Sequence, residues 1–311
     1  MTEKRTLCIG TRGSALALWQ AQWVRSQLLA MHEALAVELV VIKTTGDKIL
    51  DVPLAQVGGK GLFVKEIEEA LLEGRADLAV HSVKDMPAEL PKGLHLAVMP
   101  PREDPRDALI SKNSLGLDGL PQGARLGTSS LRRSAQLLHL RPDLRIATLR
   151  GNVDTRLRKL ESEGFDAIVL AAAGLKRMEL SHVISEYLDP ERILPAVGQG
   201  ALGIETRSDD VFTNEIVASL AHQQTMTIVG AERAFLRRLE GGCQVPIGAH
   251  GTLEGATLIL TGMVADLQGV RLIRKELRGD ARQPEVVGER LAEVILESGG
   301  EEILTEIYGS R

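Results

Sequence analysis

The chain has 311 residues, of which 44% are hydrophobic and 25% are charged, and its formal net charge is −5. This composition is typical of a folded globular protein, and the length predicts two or three domains rather than a single core. The negative charge argues against general polyanion binding, and the aromatic content of 3% argues against stacking on single-stranded nucleic acid. We therefore expect no nucleic-acid partner.

Compartment and membrane association are also constrained by the sequence. Cys8 and Cys243, the two cysteines, provide no disulfide framework, which favours a reducing compartment. No run of 18 apolar residues occurs, and the first five residues lead into a short strand without the apolar core of a secretion signal. These features predict a cytoplasmic protein with no membrane partner.

The first third of the chain alternates predicted strands with predicted helices. A strand at 6–10 runs into Thr11-Arg12-Gly13-Ser14, and Ser14 is suited to cap a helix that begins at Ala15. Because strands alternate with helices, we predict a parallel α/β sheet. The remaining elements predicted here are a strand at 37–43, a helix near 62–73 and a strand at 78–80.

The second third repeats the same landmarks in the same order. A Gly-Thr turn at 127–128 precedes a helix predicted from about residue 131, and a strand at 144–149 ends at Gly151. Glu163-Gly164 then leads into a strand at 167–170, as Glu73-Gly74 leads into the earlier one. This repeated order predicts two related α/β domains. The first copy has extra residues at 51–61, which we expect to form a mobile loop.

The last third has a different pattern, typical of a small α+β domain. A helix ends at Leu239, and strands at 256–265 and 270–277 form a hairpin before two closing helices at about 283–298 and 300–308. Proline-containing segments at 99–105 and 190–200 read as crossings between the first two domains. We therefore place the first α/β domain at residues 1–100 with 195–218, the second at 101–194 and the C-terminal domain at 219–311.

Basic and hydroxyl side chains concentrate where the predicted strands end. Arg132 and Arg133 fall in the first turn of a helix, where a cation is unfavourable by up to ~1 kcal/mol. Since ligands of open α/β sheets bind beyond the carboxyl ends of the strands, these positions predict an anion site. Guanidinium groups suit carboxylates as well as phosphates, and no glycine-rich nucleotide motif is present, so we favour a polycarboxylate. The candidate side chains are Arg12, Ser14, Thr128, Ser129, Ser130, Arg132, Arg133, Arg150 and Arg156.

The segment His81-Ser82-Val83-Lys84-Asp85 places a base, a hydroxyl, an ammonium and a carboxylate at the same sheet edge. Asp85 is a candidate acid–base group or cation stabiliser, and the alternative is a simple turn residue before Met86-Pro87. The seven histidines show no metal-ligand spacing, and we expect no metal site.

Cys243 follows two glycines at the end of a helix and precedes Pro246 and Gly248, which predicts a rigid loop that exposes the thiol. The alternative is a small buried hydrophobe. A thiol-dependent acyl transferase is a further alternative, but a helix C-terminus disfavours a thiolate and no basic partner can be placed beside Cys243. A two-lobed binding module for a polycarboxylate is the non-enzymatic alternative, against which the position of Asp85 argues.

Seven segments, taken together and in order, resemble the porphobilinogen deaminase (hydroxymethylbilane synthase) family, whose members join four porphobilinogens head to tail. The resemblance covers almost the whole chain and rests on residues 10–14, 57–63, 81–85, 127–133, 149–153, 194–200 and 240–248. It implies a transferase of tetrapyrrole and haem biosynthesis that finally releases hydroxymethylbilane by hydrolysis. One departure is Gln56, where some members carry a lysine; because Lys60 is kept, we expect the loop still to close.

The resemblance also implies the architecture and the site. The first two domains are expected to resemble the lobes of periplasmic type II binding proteins, and the protein is expected to be a monomer. A dipyrromethane cofactor is expected on Cys243 through a thioether. The implied catalytic residues are Asp85, Lys84 and Arg12. Other implied cofactor contacts are Ser82, Thr128, Ser130, Arg132, Arg133 and Arg150, besides Asp85 and Lys84, and the implied substrate contacts are Arg12, Ser14, Lys60, Arg150, Arg156 and Gln199.

Overall fold

A computed structural model describes residues 6–45, 64–240 and 245–309. These residues fall into two compact units. The first unit holds the described residues up to Glu103 together with Ala201–Met226, and the second holds Asp104–Gly200 and the residues from Thr227 onward. The three domain ranges given above stay a prediction at the level of single residues.

The described residues form the following elements. The strands are β1 (Thr6–Thr11), β2 (Ala36–Val41), β3 (Leu78–Ser82), β4 (Leu94–Val98), β5 (Asp107–Ser111), β6 (Arg125–Gly127), β7 (Arg145–Ala147), β8 (Ala167–Ala171), β9 (Glu186–Leu188), β10 (Leu202–Arg207), β11 (Ile247–Glu254), β12 (Thr257–Ala265) and β13 (Leu272–Asp280). The α-helices are α1 (Ala15–Met31), α2 (Lys65–Leu72), α3 (Leu131–Leu140), α4 (Val153–Ser162), α5 (Ala172–Arg177), α6 (Val211–Ala218), α7 (Gln223–Arg238), α8 (Pro284–Ile295) and α9 (Glu301–Gly309).

The sheet of the first unit has the strand order β2-β1-β3-β10-β4. β1 pairs with β2 and β3 in parallel, whereas β10 runs antiparallel to both β3 and β4. The predicted parallel arrangement is confirmed for β1, β2 and β3, whereas β10, which was not predicted, runs in the opposite direction. Because β10 belongs to a segment far along the chain, no local pattern indicates its direction.

Helices cover both faces of this sheet. α1 buries Ala21, Val24 and Leu28 against one face, where the alternate residues Leu78 and Val80 of β3 also point. α2 covers the other face, and its buried residues belong to a cluster with Ala79 of the same strand. The cluster on the α2 side comprises Ile42, Ile67, Ala70, Leu71, Ala76, Ala79 and Leu94. Two-sided burial explains why the predicted strand reads as a continuous apolar run.

The second unit repeats this arrangement in its first sheet, whose order is β7-β6-β8-β5-β9. β6 pairs with β7 and β8 in parallel, and β5 is antiparallel to β8 and β9. Each sheet therefore has three parallel strands followed by one antiparallel strand and an edge strand. The prediction of two related α/β domains is confirmed by this shared order.

A second sheet in the second unit is the antiparallel order β11-β12-β13, packed against α7, α8 and α9 around Phe235 and Leu291. This confirms the predicted small α+β domain, but β11 was not predicted. Gly248 and Gly251 obscure it, because glycine has low strand propensity. Both are required by packing: a Cβ on Gly251 would lie 2.9 Å from Ile228 Cγ2, and one on Gly248 would lie 3.0 Å from the Pro195 carbonyl oxygen.

Across the parts of the chain that the structure describes, no helix combines the length and apolar character needed to span a membrane.

Candidate active site

A small cavity of the first unit lies where β1 and β3 end. Since β1 and β3 are parallel neighbours, their carboxyl ends meet at one edge of the sheet. The cavity is lined by Arg12, Ser14, Leu16, Ala17, Gln20, Val64, Ile67, Val80, His81, Ser82 and Asp85. Four of the predicted site residues, Arg12, Ser14, Ser82 and Asp85, are thus brought to one place.

The start of α1 fixes one wall of this cavity. Ser14 is its N-cap as predicted, and the Ser14 hydroxyl accepts a hydrogen bond from the Ala17 amide at 3.4 Å. Thr11 is buried and donates to the Ala17 carbonyl at 3.2 Å. Gln20, one turn further along, donates to the Ser82 hydroxyl at 3.0 Å. Gln20 therefore orients a predicted site residue, although nothing in the sequence marked it.

The carboxylate of Asp85 is presented by a short 3₁₀ turn at Val83–Asp85. Val83 anchors this turn, because its side chain is buried and its amide donates to the Ala201 carbonyl at 3.1 Å. Asp85 is exposed and Lys84 is partly exposed. The turn therefore holds the solvent-accessible carboxyl group of Asp85 on an anchored backbone. Asp85 and Arg12 both line the cavity.

In the second unit, Arg132 and Arg133 converge on Asp107, a wholly buried residue of β5. Arg132 Nη1 lies 2.8 Å from Asp107 Oδ2, and Arg133 Nη2 lies 2.7 Å from Asp107 Oδ1. Gln199 Nε2 also donates to Asp107 Oδ1, at 2.9 Å. Burial alone would raise the pKa of Asp107, but the two guanidinium groups outweigh burial and hold that pKa well below its usual range.

These contacts change what the two arginines can offer a ligand. Arg133 uses Nε and Nη2 on Asp107 and Nη1 on the Val169 carbonyl, so each of its three nitrogens already donates to the protein. Arg132 reaches Asp107 and the Leu194 carbonyl through Nη1 alone. Gln199 is fully buried and also donates to the Pro105 carbonyl. Arg133 and Gln199 are therefore suited to hold the site together, and Arg132 keeps donors for a ligand.

The ends of β6 and β7 bring the remaining candidates together. The Ser129 hydroxyl donates to the Leu149 carbonyl at 2.8 Å, which links the two loops. Ser130 caps α3, where its hydroxyl accepts from the Arg133 amide, and Thr128 is buried beside it. Arg150 Nε is buried and has no hydrogen-bond partner among the residues that the structure describes. An orphaned guanidinium donor of this kind fits a carboxylate ligand.

Arg156 has a different local role. Its Nε donates to the Gly151 carbonyl at 2.7 Å, which bends the side chain back over the start of α4. Asn152 caps that helix by accepting from the Thr155 amide. Arg156 is partly exposed, so it remains near the loop that carries Arg150.

Two further residues were missed by sequence reasoning. Asp107 lies in the segment Asp104-Pro105-Arg106-Asp107, where an acidic residue entering a buried strand is the only signal. Arg177 ends α5, is 8% exposed and donates to the Gly200 carbonyl at 2.7 Å. Its signal is a cation at the end of a helix that directly follows β8. Cys243, Lys60 and Gln56, with the predicted loop at 51–61, lie outside the described residues.

Comparison with known proteins gives a consistent result. Residues 7–215 match the family model described as porphobilinogen deaminase, dipyromethane cofactor binding domain, and residues 226–297 match the model of the porphobilinogen deaminase C-terminal domain. The chain is 60% identical over 301 residues to the porphobilinogen deaminase of Syntrophotalea carbinolica, covering 97% of this chain and 96% of that protein. It is 57% identical over 304 residues to that of Pelobacter propionicus, covering 98% of each.

Likeness to solved structures is weaker. An extracellular-binding protein of a probable amino-acid transporter from Bacillus subtilis covers 70% of this chain and 90% of its own at 10% identity, with a TM-score of 0.41. The two α/β lobes are identified instead by the shared strand order of their five-stranded sheets.

Proposed function

The chain belongs to the porphobilinogen deaminase family, and from this premise we propose how its own residues carry out the stepwise head-to-tail condensation of four porphobilinogen molecules. Each addition releases ammonia, and the linear tetrapyrrole hydroxymethylbilane is released by hydrolysis. The observation that carries the residue assignment is the cavity of the first unit, which Asp85 lines together with Arg12 and Ser14.

Asp85 acts first as an acid and then as an anion. Loss of ammonia from porphobilinogen breaks a carbon–nitrogen bond and leaves a resonance-stabilised cation, so the departing amine needs a proton. Asp85 donates that proton, and its carboxylate then stabilises the cation. When the new carbon–carbon bond has formed, Asp85 takes up the proton that the pyrrole carbon loses. The acid is thereby regenerated for the next addition.

Arg12, Ser14 and Lys84 hold the substrate. Porphobilinogen carries an acetate and a propionate, and a guanidinium binds a carboxylate with two parallel hydrogen bonds. The start of α1 adds free amides and the favourable end of the helix dipole at the same place. Lys60 and Arg156 are proposed as further substrate contacts on the strength of the family motifs.

The second unit is proposed to hold the cofactor, whose thioether is formed by Cys243. When bound, the dipyrromethane supplies the free pyrrole end onto which the substrate is added. The orphaned Nε of Arg150 and the uncommitted donors of Arg132 fit its carboxylates. Thr128 and Ser130 lie at the start of α3, where their hydroxyls support the same anions. Ser82 is proposed as a further cofactor contact on the strength of the family motifs, and Arg133 and Gln199 support the site through Asp107.

We also infer a cytoplasmic monomer without a nucleic-acid partner. The net charge of −5 and the low aromatic content support the last of these. The division into three domains, with the first one interrupted by the second, is supported by the return of β10 to the sheet of the first unit.

Intact-protein mass spectrometry tests the cofactor assignment. Native protein made in a haem-synthesising host is expected to carry the mass of two pyrrole units, and Cys243→Ser is expected to lose that addition. Cys8→Ser is the matched control, because Cys8 is partly buried in β1 and burial raises the pKa of its thiol, which makes it a poor nucleophile. An unmodified native chain, or an addition retained in Cys243→Ser, would refute the assignment.

A further inference from the structure

Three ionisable side chains meet inside the first unit, beside the Asp85 cavity but outside the proposed mechanism. His81 lies on β3 opposite Gly203 of β10, and Ala79 lies opposite Glu205. Residues opposite each other or two apart along a strand share a face, so His81 and Glu205 are diagonal neighbours on the face of Ala79. α2 covers that face and contributes Glu68.

This cluster is almost completely withdrawn from solvent. Glu205 is 0% exposed, His81 is 6% exposed and Glu68 is 7% exposed. His81 Nε2 lies 2.9 Å from Glu205 Oε2, which is the distance of an ion pair, but the contact lacks the alignment of a hydrogen bond. Within the described ranges, both Glu205 oxygens and Glu68 Oε1 have no hydrogen-bond partner.

The surroundings cannot support two free carboxylates. Ile67 and Leu71 flank Glu68 on α2, and the face beneath them is apolar. An imidazolium on His81 can compensate one carboxylate, and a second buried anion would remain unbalanced. Burial, reinforced by the negative charge of Glu205, raises the pKa of Glu68 to about 7, against a smaller opposing effect of His81. Glu68 can therefore gain or lose a proton near neutral pH.

Other charged groups around α2 are committed elsewhere. On the helix itself, Glu69 is exposed and pairs loosely with Lys65. Glu66 accepts from the Thr45 amide. Arg207 of β10 donates to the Leu71 and Ala76 carbonyls and pairs with two aspartates. On β4, which also packs against α2, His95 contacts Asn214.

One member of the cluster, His81, also lines the cavity described above. Ile67 of α2, Arg12 and Asp85 line the same cavity. The charge of the cluster therefore acts on the groups that are proposed to bind and convert the substrate, without direct contact to the substrate.

We propose that Glu68, His81 and Glu205 are positioning residues whose charge acts on the substrate pocket through Arg12. Loss of the Glu68 proton adds one negative charge to this buried cluster and weakens the hold of Arg12 on the carboxylates of porphobilinogen. The catalytic consequence rests on the proposed function, whereas the buried titration itself does not.

The first test measures stability and needs no substrate. A buried acid that holds its proton more tightly when folded contributes stability that is fully present below its unfolded pKa and is lost as pH rises through the folded value. Denaturant midpoints of the wild type should therefore fall between about pH 5 and 8, by an amount that Glu68→Gln removes. Glu73→Gln, at the exposed C-terminal end of the same helix, should keep the wild-type slope.

The second test measures KM for porphobilinogen from pH 6 to 9. In the wild type and in Glu73→Gln, KM should rise roughly fivefold through pH 7 while kcat changes less, as expected for one added charge acting across the pocket. In Glu68→Gln, this component of the rise should be absent. Equal pH dependence of both stability and KM in all three proteins would overturn the proposal.

Glu205→Gln provides a second variant should Glu68→Gln fail to fold. Removing the repulsion of Glu205 should let Glu68 ionise more easily, so that the KM rise moves to lower pH; an unmoved midpoint would contradict the cluster. Failure of the wild type to consume porphobilinogen would instead refute the proposed function, and the stability test would still decide the buried titration.

Discussion

At the scale of single residues, the structure separates cations that serve the protein from cations that remain for a ligand. Each guanidinium nitrogen of Arg133 donates to Asp107 or to a backbone carbonyl, whereas Arg150 keeps a buried Nε without a partner among the described residues. Both looked equivalent as arginines near strand ends. The difference lies in what each side chain meets, and a guanidinium that leaves a buried donor unpaired is the better candidate for binding a carboxylate.

Asp85 gives the sharpest prediction at this scale. Asp85→Asn keeps the size of the side chain but can neither donate the proton to the departing amine nor stabilise the cation. We expect kcat to fall by roughly 10²- to 10⁴-fold. Because Asp85 is exposed, stability should change by less than about 0.5 kcal/mol.

Steady-state assays of porphobilinogen consumption, with denaturant unfolding alongside, check both parts. Glu89→Gln is the matched control, since Glu89 is an exposed carboxylate four positions further on and should leave kcat unchanged. Normal turnover in Asp85→Asn would remove Asp85 from the mechanism.

At the scale of elements, the two turns of the C-terminal sheet each contain a glycine, at Gly269 and Gly255. Gly269, in the turn between β12 and β13, has a φ of +71° and packs against α3, where its carbonyl contacts His139 Nδ1 at 2.8 Å. Gly255, in the turn between β11 and β12, has a φ of +59°. A Cβ added at Gly255 would meet nothing within 4 Å. The two turns therefore share backbone conformation but differ in crowding.

Alanine substitutions at Gly255 and Gly269 distinguish the cost of a left-handed backbone from the cost of a steric clash with α3. Gly255→Ala should cost about 1 kcal/mol, from the left-handed backbone alone. Gly269→Ala should cost about 1–3 kcal/mol more, because its Cβ would lie 2.1 Å from the Ala135 carbonyl oxygen and the hairpin would have to move off α3. Denaturant midpoints of the two variants check the difference, and equal losses would show that the turn does not press on α3 in solution.

At the scale of the whole molecule, the segment between Leu194 and Gly200 links the parts of the second unit. Gln199 donates to Asp107 of β5, and the Gly198 amide donates to the buried carboxylate of Glu232 on α7 at 2.7 Å. Glu232 also accepts from the Gly251 amide of β11. Buried carboxylates thus tie one segment to the α/β sheet and to the C-terminal sheet of the unit.

Asp107→Asn should destabilise the protein by about 3–5 kcal/mol, because two buried guanidinium groups would lose their common anion. Burial lowers the pKa of Arg132 somewhat, but a guanidinium remains charged at any pH the protein meets. Asp118→Asn is the control: Asp118 also pairs with an arginine, Arg192, but is exposed, and the loss should stay below about 1 kcal/mol.

Acid unfolding gives the sign of the Asp107 contribution. Because the folded pKa of Asp107 is depressed, its stabilisation is present above the usual aspartate pKa and is lost as pH falls through the folded value. The stability of Asp107→Asn should therefore depend less on acid than that of the wild type. A variant as stable and as acid-sensitive as the wild type would show that the Arg132–Asp107–Arg133 cluster contributes little.

Local sequence patterns were sufficient for the elements whose signals span a few residues. Ser14 as the cap of α1, the paired Gly-Thr turns, the presence of the strands β1–β3 and β6–β8 and the end of α7 all follow from hydrophobic period, caps and glycines. The family motifs are contiguous, and the family that they indicated is confirmed, whereas the roles of Asp85, Arg12 and Cys243 stay a prediction.

Only the tertiary structure decided which side chains meet. β10 and β5 run antiparallel in their sheets because the chain returns from elsewhere, and β11 is hidden by glycines that packing demands. Asp107 as the partner of two arginines, and Glu205 beside His81, join residues far apart in the chain. Burial, charge compensation and hydrogen-bond satisfaction depend on contacts between residues far apart in the chain. A short stretch of sequence therefore cannot predict them.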